Sequence, residues 1–396
     1  MRPLALTAWT ATSCIGRGLD ATWAALAAQR SGLKGCVFET VTLDTSVGEV
    51  EGLDAAPLPA EWQEFECRNN RLALLGLRQD GFAEAVRACT DRYGRTRVGV
   101  WLGTSTSGIL ETEIAYRQRG ADGALPATFR YRGAHNTFSL AAFVRQALGV
   151  AGPAAVISSA CSSSAKVFAS ARRAIEAQLV DAAVVGGVDS LCLTTLYGFH
   201  SLQLVARTPC RPFDAARDGI SIGEAAAFAL LERVPGSCDA DALLLLGTGE
   251  SSDAHHMSAP HPQGRGAREA MLAALADARL APADIDYINF HGTGTAGNDA
   301  SEARAVAATL GAGVPGSSTK GATGHTLGAA GALEAVICAL ALRHSVMPAG
   351  ANTTRVDPAL EVHYLRENRR APLRRVMSNS FGFGGSNCSL ILGRAG

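Results

Sequence analysis

The chain has 396 residues, 47% of them hydrophobic, and its 36 Lys+Arg balance 36 Asp+Glu. That is material for one large two-lobed unit or for two to three average domains, and the absence of net charge points to neither nucleic acid nor an anionic membrane, so a charged partner must meet a local patch. The 10 cysteines are dispersed without a Cys-x-x-Cys pair, which excludes a zinc ribbon or thioredoxin motif and predicts reduced thiols in a cytoplasm; no apolar run reads as long enough to span a bilayer.

In chain order, 3–10 reads as a strand, 16–18 as its turn and 21–29 as a helix. Ala11-Thr-Ser-Cys14 faintly resembles a lipoprotein cleavage box, but one Arg2 and a very short apolar run make a poor signal sequence. The Pro-rich, acidic stretch 51–64 reads as a surface loop, and 68–88 as a helix that puts Arg68 and Arg71 one turn apart on an exposed face. The strand 97–102 ends in Gly103-Thr-Ser-Thr-Ser-Gly108, one residue away from the hydrolase elbow Gly-x-Ser-x-Gly.

Residues 154–157 then read as a buried strand, and from Ser162 to Gln178 the spacing is helical, with Val167, Ala171, Ala174 and Ile175 on one face. Cys161 therefore falls at a strand-to-helix elbow, where unpaired N–H groups and the helix dipole favour the thiolate. A cysteine taken at random is more often buried and inert, so the case rests on the remaining chain. The next strand, 181–186, runs into Gly186-Gly-Val-Asp-Ser-Leu191, whose Asp-Ser-Leu triplet imitates a phosphopantetheine-attachment site at Ser190. A carrier serine opens a helix in a small acidic bundle, whereas this triplet follows a core strand and reads as a strand-end turn.

An internal repeat organises the rest: Asp218 to Leu231 parallels Asn379 to Leu392, and Ile157-Ser-Ser-Ala-Cys161 parallels Gly316-Ser-Ser-Thr-Lys320, in the same order. The chain thus divides into two related α/β halves, 1–240 and 241–396, whose turns meet at one cleft. In the second half, a strand at 286–290 delivers His291-Gly-Thr-Gly-Thr-Ala-Gly297, and Lys320-Gly-Ala-Thr-Gly-His325 precedes a helix with Ala330, Leu333, Ile337 and Leu340 on its buried face. Gly292, Gly294 and Gly297 also spell Gly-x-Gly-x-x-Gly, which makes an NAD-dependent oxidoreductase the rival from another class; the next strand ends in Lys320 where that motif needs an acid. His255, His256 and His261, near Asp253, lack metal-ligand spacing and read as loop residues.

Ser159-Ala-Cys161, Ser252-Asp253, His291-Gly-Thr-Gly-Thr295, Lys320 with Thr323-Gly-His325, and Asn379-Ser-Phe-Gly-Phe-Gly-Gly385 together resemble the β-ketoacyl-acyl-carrier-protein synthases of types I and II. The second histidine separates these from type III relatives, which use Cys-His-Asn, and from thiolases, which use a second cysteine. The resemblance implies the thiolase fold, an α/β five-layer α-β-α-β-α sandwich of two similar halves, and a decarboxylative Claisen condensation without metal or other cofactor. It implies that Cys161 carries the acyl group, with its own N–H and that of Phe383 as oxyanion hole, and that His291 and His325 hold the enolate of the malonyl unit. By the same resemblance Lys320 and Glu334 pair to order the His325 turn, Thr293 and Thr295 hold the pantetheine arm, Phe381 and Phe383 border the acyl pocket, and Arg68 and Arg71 belong to a basic patch for an acidic acyl carrier protein. The short stretches 204–211 and 233–242 resemble stand-alone ketosynthases of aryl-polyene and other type II polyketide pathways, which implies a homodimer or a heterodimer with a chain-length-factor-like subunit. The non-enzymatic alternative is that the chain is itself such a scaffold subunit, which should have lost the nucleophile.

Overall fold

The computed structural model describes residues 2–234, 236 and 239–396. The first half contributes strands β1 (Leu4–Ser13), β2 (Val98–Gly103), β3 (Ala154–Ile157), β4 (Ala182–Asp189) and β5 (Ala225–Arg233), and the second contributes β6 (Leu243–Ser252), β7 (Tyr287–Asn289), β8 (Pro315–Ser317), β9 (Arg375–Gly382) and β10 (Ser386–Arg394). Their lateral order is β3-β2-β4-β5-β1 followed by β6-β10-β9-β7-β8, a palindrome in which each half repeats the other's path. The senses repeat as well: β2 is parallel to β3 and β4, β7 is parallel to β8 and β9, and the remaining pairs within each half are antiparallel. The halves join through β1 and β6, at Leu4 opposite Leu245 and Ala5 opposite Leu244.

The helices are α1 (Leu19–Ala27), α2 (Arg68–Leu77), α3 (Phe82–Tyr93), α4 (Ile109–Arg117), α5 (Ser139–Ala147), α6 (Ser163–Glu176), α7 (Leu193–Ser201), α8 (Arg265–Ala278), α9 (Ala296–Thr309), the single turn α10 (Lys320–Thr323) and α11 (Ala330–His344). α6 and α11 pack on each other and on strands of both halves, which makes them the middle layer; α2, α3 and α5 cover the outer face of the first half, and α8 with α9 the outer face of the second. Central position explains composition. α11 is buried from Ala330 to Leu342, so its apolar residues run all round rather than along one stripe. For the same reason Leu327–His344 is long and apolar enough to cross a membrane, contrary to the reading of the sequence, yet 89% of that window is buried inside the protein.

Two local expectations change. The helix read over 68–88 is two helices, because Asp80 and Gly81 turn left-handed (φ 55° and 65°) and the Asp80 carboxylate accepts from Thr10 Oγ1 at 2.7 Å and Leu19 N at 3.0 Å, capping α1. Arg68 and Arg71 do not form an exposed basic face. The Arg68 side chain is 2% exposed and lies over the Phe38 ring, and it donates to Glu224 at 2.9 and 2.7 Å and to Asp54 at 2.6 Å. Arg71 is 22% exposed and paired with Glu66. The shared helix face was read correctly, but residues 38–54 cover it, and this overturns the assignment of the pair as a carrier-docking patch.

Glu224 is fully buried and also accepts from Val50 N and Leu191 N at 2.8 and 2.9 Å. Arg68→Ala would strand its charge, so the expected loss in urea unfolding is about 3–5 kcal/mol, far beyond an exposed pair. A loss below about 1 kcal/mol would refute the structural role.

Candidate active site

Cys161 stands where β3 hands over to α6, as the sequence predicts. The handover is sharp: Ala160 adopts φ 52°, a left-handed conformation that costs a non-glycine residue on the order of 1 kcal/mol, and Ser163 N bonds Ala160 O at 3.1 Å while Ser163 Oγ accepts from Ser159 N at 2.9 Å. These bonds aim the Cys161 sulfur, in a side chain only 5% exposed, at the second half. His325 Nε2 lies 3.1 Å from Cys161 Sγ, and the His291 and His325 rings meet edge to face with centroids 5.3 Å apart.

Each histidine is fixed by its backbone. The His325 turn is bound to the first half through His325 N to Ser221 O (2.7 Å) and Gly223 N to His325 O (3.0 Å). The His291 turn closes on two carboxylates from α9: Glu302 accepts from His291 N and Gly292 N at 2.8 and 2.7 Å, and Asp299 accepts from Thr293 N and Gly294 N at 3.1 and 3.2 Å. The N–H groups a dinucleotide pyrophosphate requires are therefore already occupied by carboxyl oxygens of the protein, which removes the physical basis for the oxidoreductase reading. Ser190 is 2% exposed, so it presents no attachment site, and Gly186–Asp189 form the end of β4 with Ser190 directly after it. His255, His256 and His261 do lie on a loop, with His255 and His261 rings 5.0 Å apart.

Lys320 is 1% exposed; its ammonium pairs with Glu334 and donates to His291 O at 2.6 Å, with His291 Nδ1 at 3.4 Å. Leu327 N donates to His325 Nδ1 at 3.3 Å. With a donor facing Nδ1 in both rings, each neutral imidazole carries its proton on Nε2. Burial, reinforced by the Lys320 charge, pushes both histidines well below the ordinary imidazole range, so they are neutral donors at pH 7. Burial also pushes the Cys161 thiol up to about 11, outweighing the pull of Lys320 and of the Phe383 and Cys161 N–H groups. Desolvation, not the helix dipole, thus dominates at this elbow, against the expectation from sequence. The same burial raises the Glu334 and Glu302 carboxyls to about 7.

One ligand atom from each of Cys161, His291 and His325 lies within 4.8 Å of the other two, a spacing a metal could bridge. The groups behind the rings oppose it: zinc needs a bare Nε2 and an Nδ1–H facing an acceptor, whereas here both Nδ1 atoms face donors. What the arrangement offers is an electrophilic pocket of N–H groups around one nucleophile.

A cavity of about 340 Å³ leads to these groups. Thr293, Thr295, Phe381 and Phe383 all line it, with Thr293 Oγ1 2.9 Å from Thr295 Oγ1 and the Phe381 ring 5.9 Å from His291. Sequence reasoning missed Phe199, whose ring packs on Phe383 at 5.4 Å across the cavity, and it missed Glu302 and Asp299, two acids on the helix that follows a histidine turn.

Residues 76–235 match the family model for the N-terminal domain of β-ketoacyl synthases, and residues 243–354 match that for the C-terminal domain. The chain is 32% identical over 410 residues to 3-oxoacyl-[acyl-carrier-protein] synthase 2 of Mycobacterium tuberculosis, covering 97% of this chain and 95% of that protein. It is 38% identical over 308 residues to nodulation protein E of Rhizobium meliloti, 76% of this chain and 75% of that one. Among solved structures it superposes with a TM-score of 0.89 and 38% identity on a ketosynthase from Xenorhabdus doucetiae determined in complex with its chain length factor, over 100% of this chain and 98% of that one. With the nucleophile, both histidines and the doubled sheet in place, the chain belongs to the β-ketoacyl synthase family of condensing acyltransferases.

Proposed function

We propose that Cys161 takes the acyl group from a carrier-protein thioester, and that His291 and His325 then stabilise the enolate formed when carrier-bound malonyl loses CO2. The observation that carries this reading is His325 Nε2 at 3.1 Å from the sulfur with Leu327 N donating to its Nδ1, which assigns the ring proton to Nε2. A general base would need a bare Nε2; a proton there suits a group that holds developing oxyanion charge, and each such donor is worth about 3 to 4 kcal/mol. The thioester carbonyl is held by the Cys161 and Phe383 N–H groups, and Thr293 and Thr295 hold the pantetheine arm. Lys320 and Glu334 keep the His291 tautomer and the His325 turn in place, while Phe381 and Phe383 border the acyl pocket. The halves 1–240 and 241–396 act as one catalytic unit, and the chemistry needs no cofactor beyond the phosphopantetheine of the carrier. Retention of all three reactive residues favours a catalytic subunit over a scaffold. The pathway is chain elongation in fatty acid or in polyketide, including aryl-polyene, synthesis.

β3 bears on the partner. Among the described residues it ends the sheet with one edge unpaired and all four of its residues only half-buried, whereas its counterpart β8 is covered by His363–Tyr364. An open apolar edge is stable when another strand adds to it, which supports pairing with a second ketosynthase-fold subunit, either a copy of this chain or a chain-length-factor-like one.

Cys161→Ala should abolish acyl transfer from the carrier and leave the fold intact. His325→Ala should still acylate Cys161 yet fail to release CO2 from malonyl-carrier protein; acylation lost with decarboxylation retained would sink the assignment. Because the thiol is raised to about 11, carboxamidomethylation of Cys161 in the free protein should keep accelerating from pH 7 to pH 10; a rate profile with its midpoint at about pH 8.5, the value of an unperturbed thiol, would contradict the burial argument.

Sedimentation of the chain alone and coexpressed with a nucleophile-free ketosynthase-fold partner should give a two-subunit particle in at least one case, with residues 153–158 protected from hydrogen exchange. A monomer in both rules out the edge-strand pairing.

A further inference from the structure

Two motifs singled out in the sequence, Gly103-Thr-Ser-Thr-Ser-Gly108 and Gly186-Gly-Val-Asp-Ser190, have no part in the chemistry above, yet they meet. The Asp189 carboxylate, fully buried at the end of β4, accepts from Thr104 Oγ1 (2.7 Å), Ser105 N (2.8 Å), Ser105 Oγ (2.5 Å), Thr106 N (2.8 Å) and Thr106 Oγ1 (2.8 Å). All of these belong to the first half. Its remaining donor does not: Gly328 N, three residues after His325, bonds Asp189 Oδ2 at 2.5 Å. The approach admits no side chain, since a Cβ on Gly328 would lie 2.7 Å from Asp189 Oδ2 and 2.9 Å from Ser105 N.

We infer that Asp189 is a positioning residue for the decarboxylation step, gripping Gly328 N so that the neighbouring Leu327 N–H is aimed at His325 Nδ1. The grip is needed because Leu327 is held left-handed at φ 52°, a conformation that a leucine leaves unless its neighbours pin it. The 3-10 turn Leu327–Ala329 that carries both N–H groups is one turn long and packs directly on Gly187 of β4. Asp189 thus connects a turn of the nucleophile's half to the tautomer of a histidine in the other half. Every donor to it is neutral, and behind the larger effect of burial its carboxylate opposes formation of the Cys161 thiolate.

The inference rests on His325 stabilising the enolate, and the test separates the two. Asp189→Asn keeps the shape but sets an amide NH2 against N–H donors. CO2 release from malonyl-carrier protein should fall up to about 10²-fold, the scale of a misplaced catalytic group, while alkylation of Cys161 by iodoacetamide at pH 8 should be unchanged or faster. Alkylation and decarboxylation falling together, or decarboxylation staying within about twofold of the parent, would overturn it. Should that variant fail to fold, Ser105→Ala removes one donor to Asp189 and the secondary acceptor for Gly328 N at 3.2 Å; a several-fold loss of decarboxylation at parental alkylation rate is expected, and no loss counts against the clamp. A parent protein that releases no CO2 at all would instead refute the role of His325. The clamp is then judged by imidazole 15N shifts, which should show Nδ1 of His325 losing its hydrogen bond in Asp189→Asn and are expected to be unaltered if Asp189 is only a packing residue.

Discussion

One buried ammonium governs the reactive centre. Lys320 sits 1% exposed among groups that are themselves dry, paired with Glu334 and bonded to His291 O at 2.6 Å. Its charge helps keep both imidazoles neutral and offsets part of the cost that burial imposes on the Cys161 thiolate. From a position facing Nδ1 it also selects the tautomer of His291. In water a single charge at these distances would contribute little; in a desolvated site it is felt at each of the three reactive residues, second only to burial itself. Exchange of Lys320 for a neutral residue would also leave Glu334 as a buried carboxylate without a cation, so structure and chemistry depend on the same pair.

The doubled architecture places that charge. Because the halves share one strand path, the end of β3 and the end of β8 are equivalent points, and the chain leaves the first at Cys161 and the second at Lys320. The middle helices α6 and α11 start beside these two points and pack against each other, so the nucleophile and the histidine turn approach from opposite sides of one interface. Contacts across it are short and backbone-directed: Ser221 O and Gly223 N hold His325, and Asp189 holds Gly328. A site assembled this way is a consequence of folding the two halves together.

Much of this was legible in the residues. The repeat was read from Gly-rich turns before strands, and the elbow at Cys161 from an apolar run followed by small polar residues, because local backbone chemistry decides both. The exposed face assigned to Arg68 and Arg71 failed for the opposite reason. Helical spacing shows that two residues share a face, but whether that face meets solvent depends on where residues 38–54 return, which is a long-range fact. The thiol at Cys161 also departed from its local reading, since the dipole of α6 is a property of sequence and the depth of burial is a property of the whole fold.

The misleading motifs are rich in glycine for physical reasons unrelated to the functions they imitate. A chain that leaves a strand and enters a helix through a tight turn needs glycines and small polar residues whatever the turn is for, so Gly292, Gly294 and Gly297 imitate a dinucleotide loop; Gly186 and Gly187, which imitate a carrier site, lie within β4, where a Cβ would come within 2.3 Å of Ala227 O and 2.5 Å of Ser164 Cβ. What distinguishes such turns is the group that satisfies their N–H donors. At Gly292 to Gly294 those donors bond Asp299 and Glu302 of the protein itself, and at Ser105, Thr106 and Gly328 they bond Asp189. A turn that binds phosphate must leave the donors open, whereas one that braces a catalytic histidine is filled by a carboxylate a short distance along the chain or across the sheet. The acids near a glycine-rich turn therefore carry more information about its role than the glycines do.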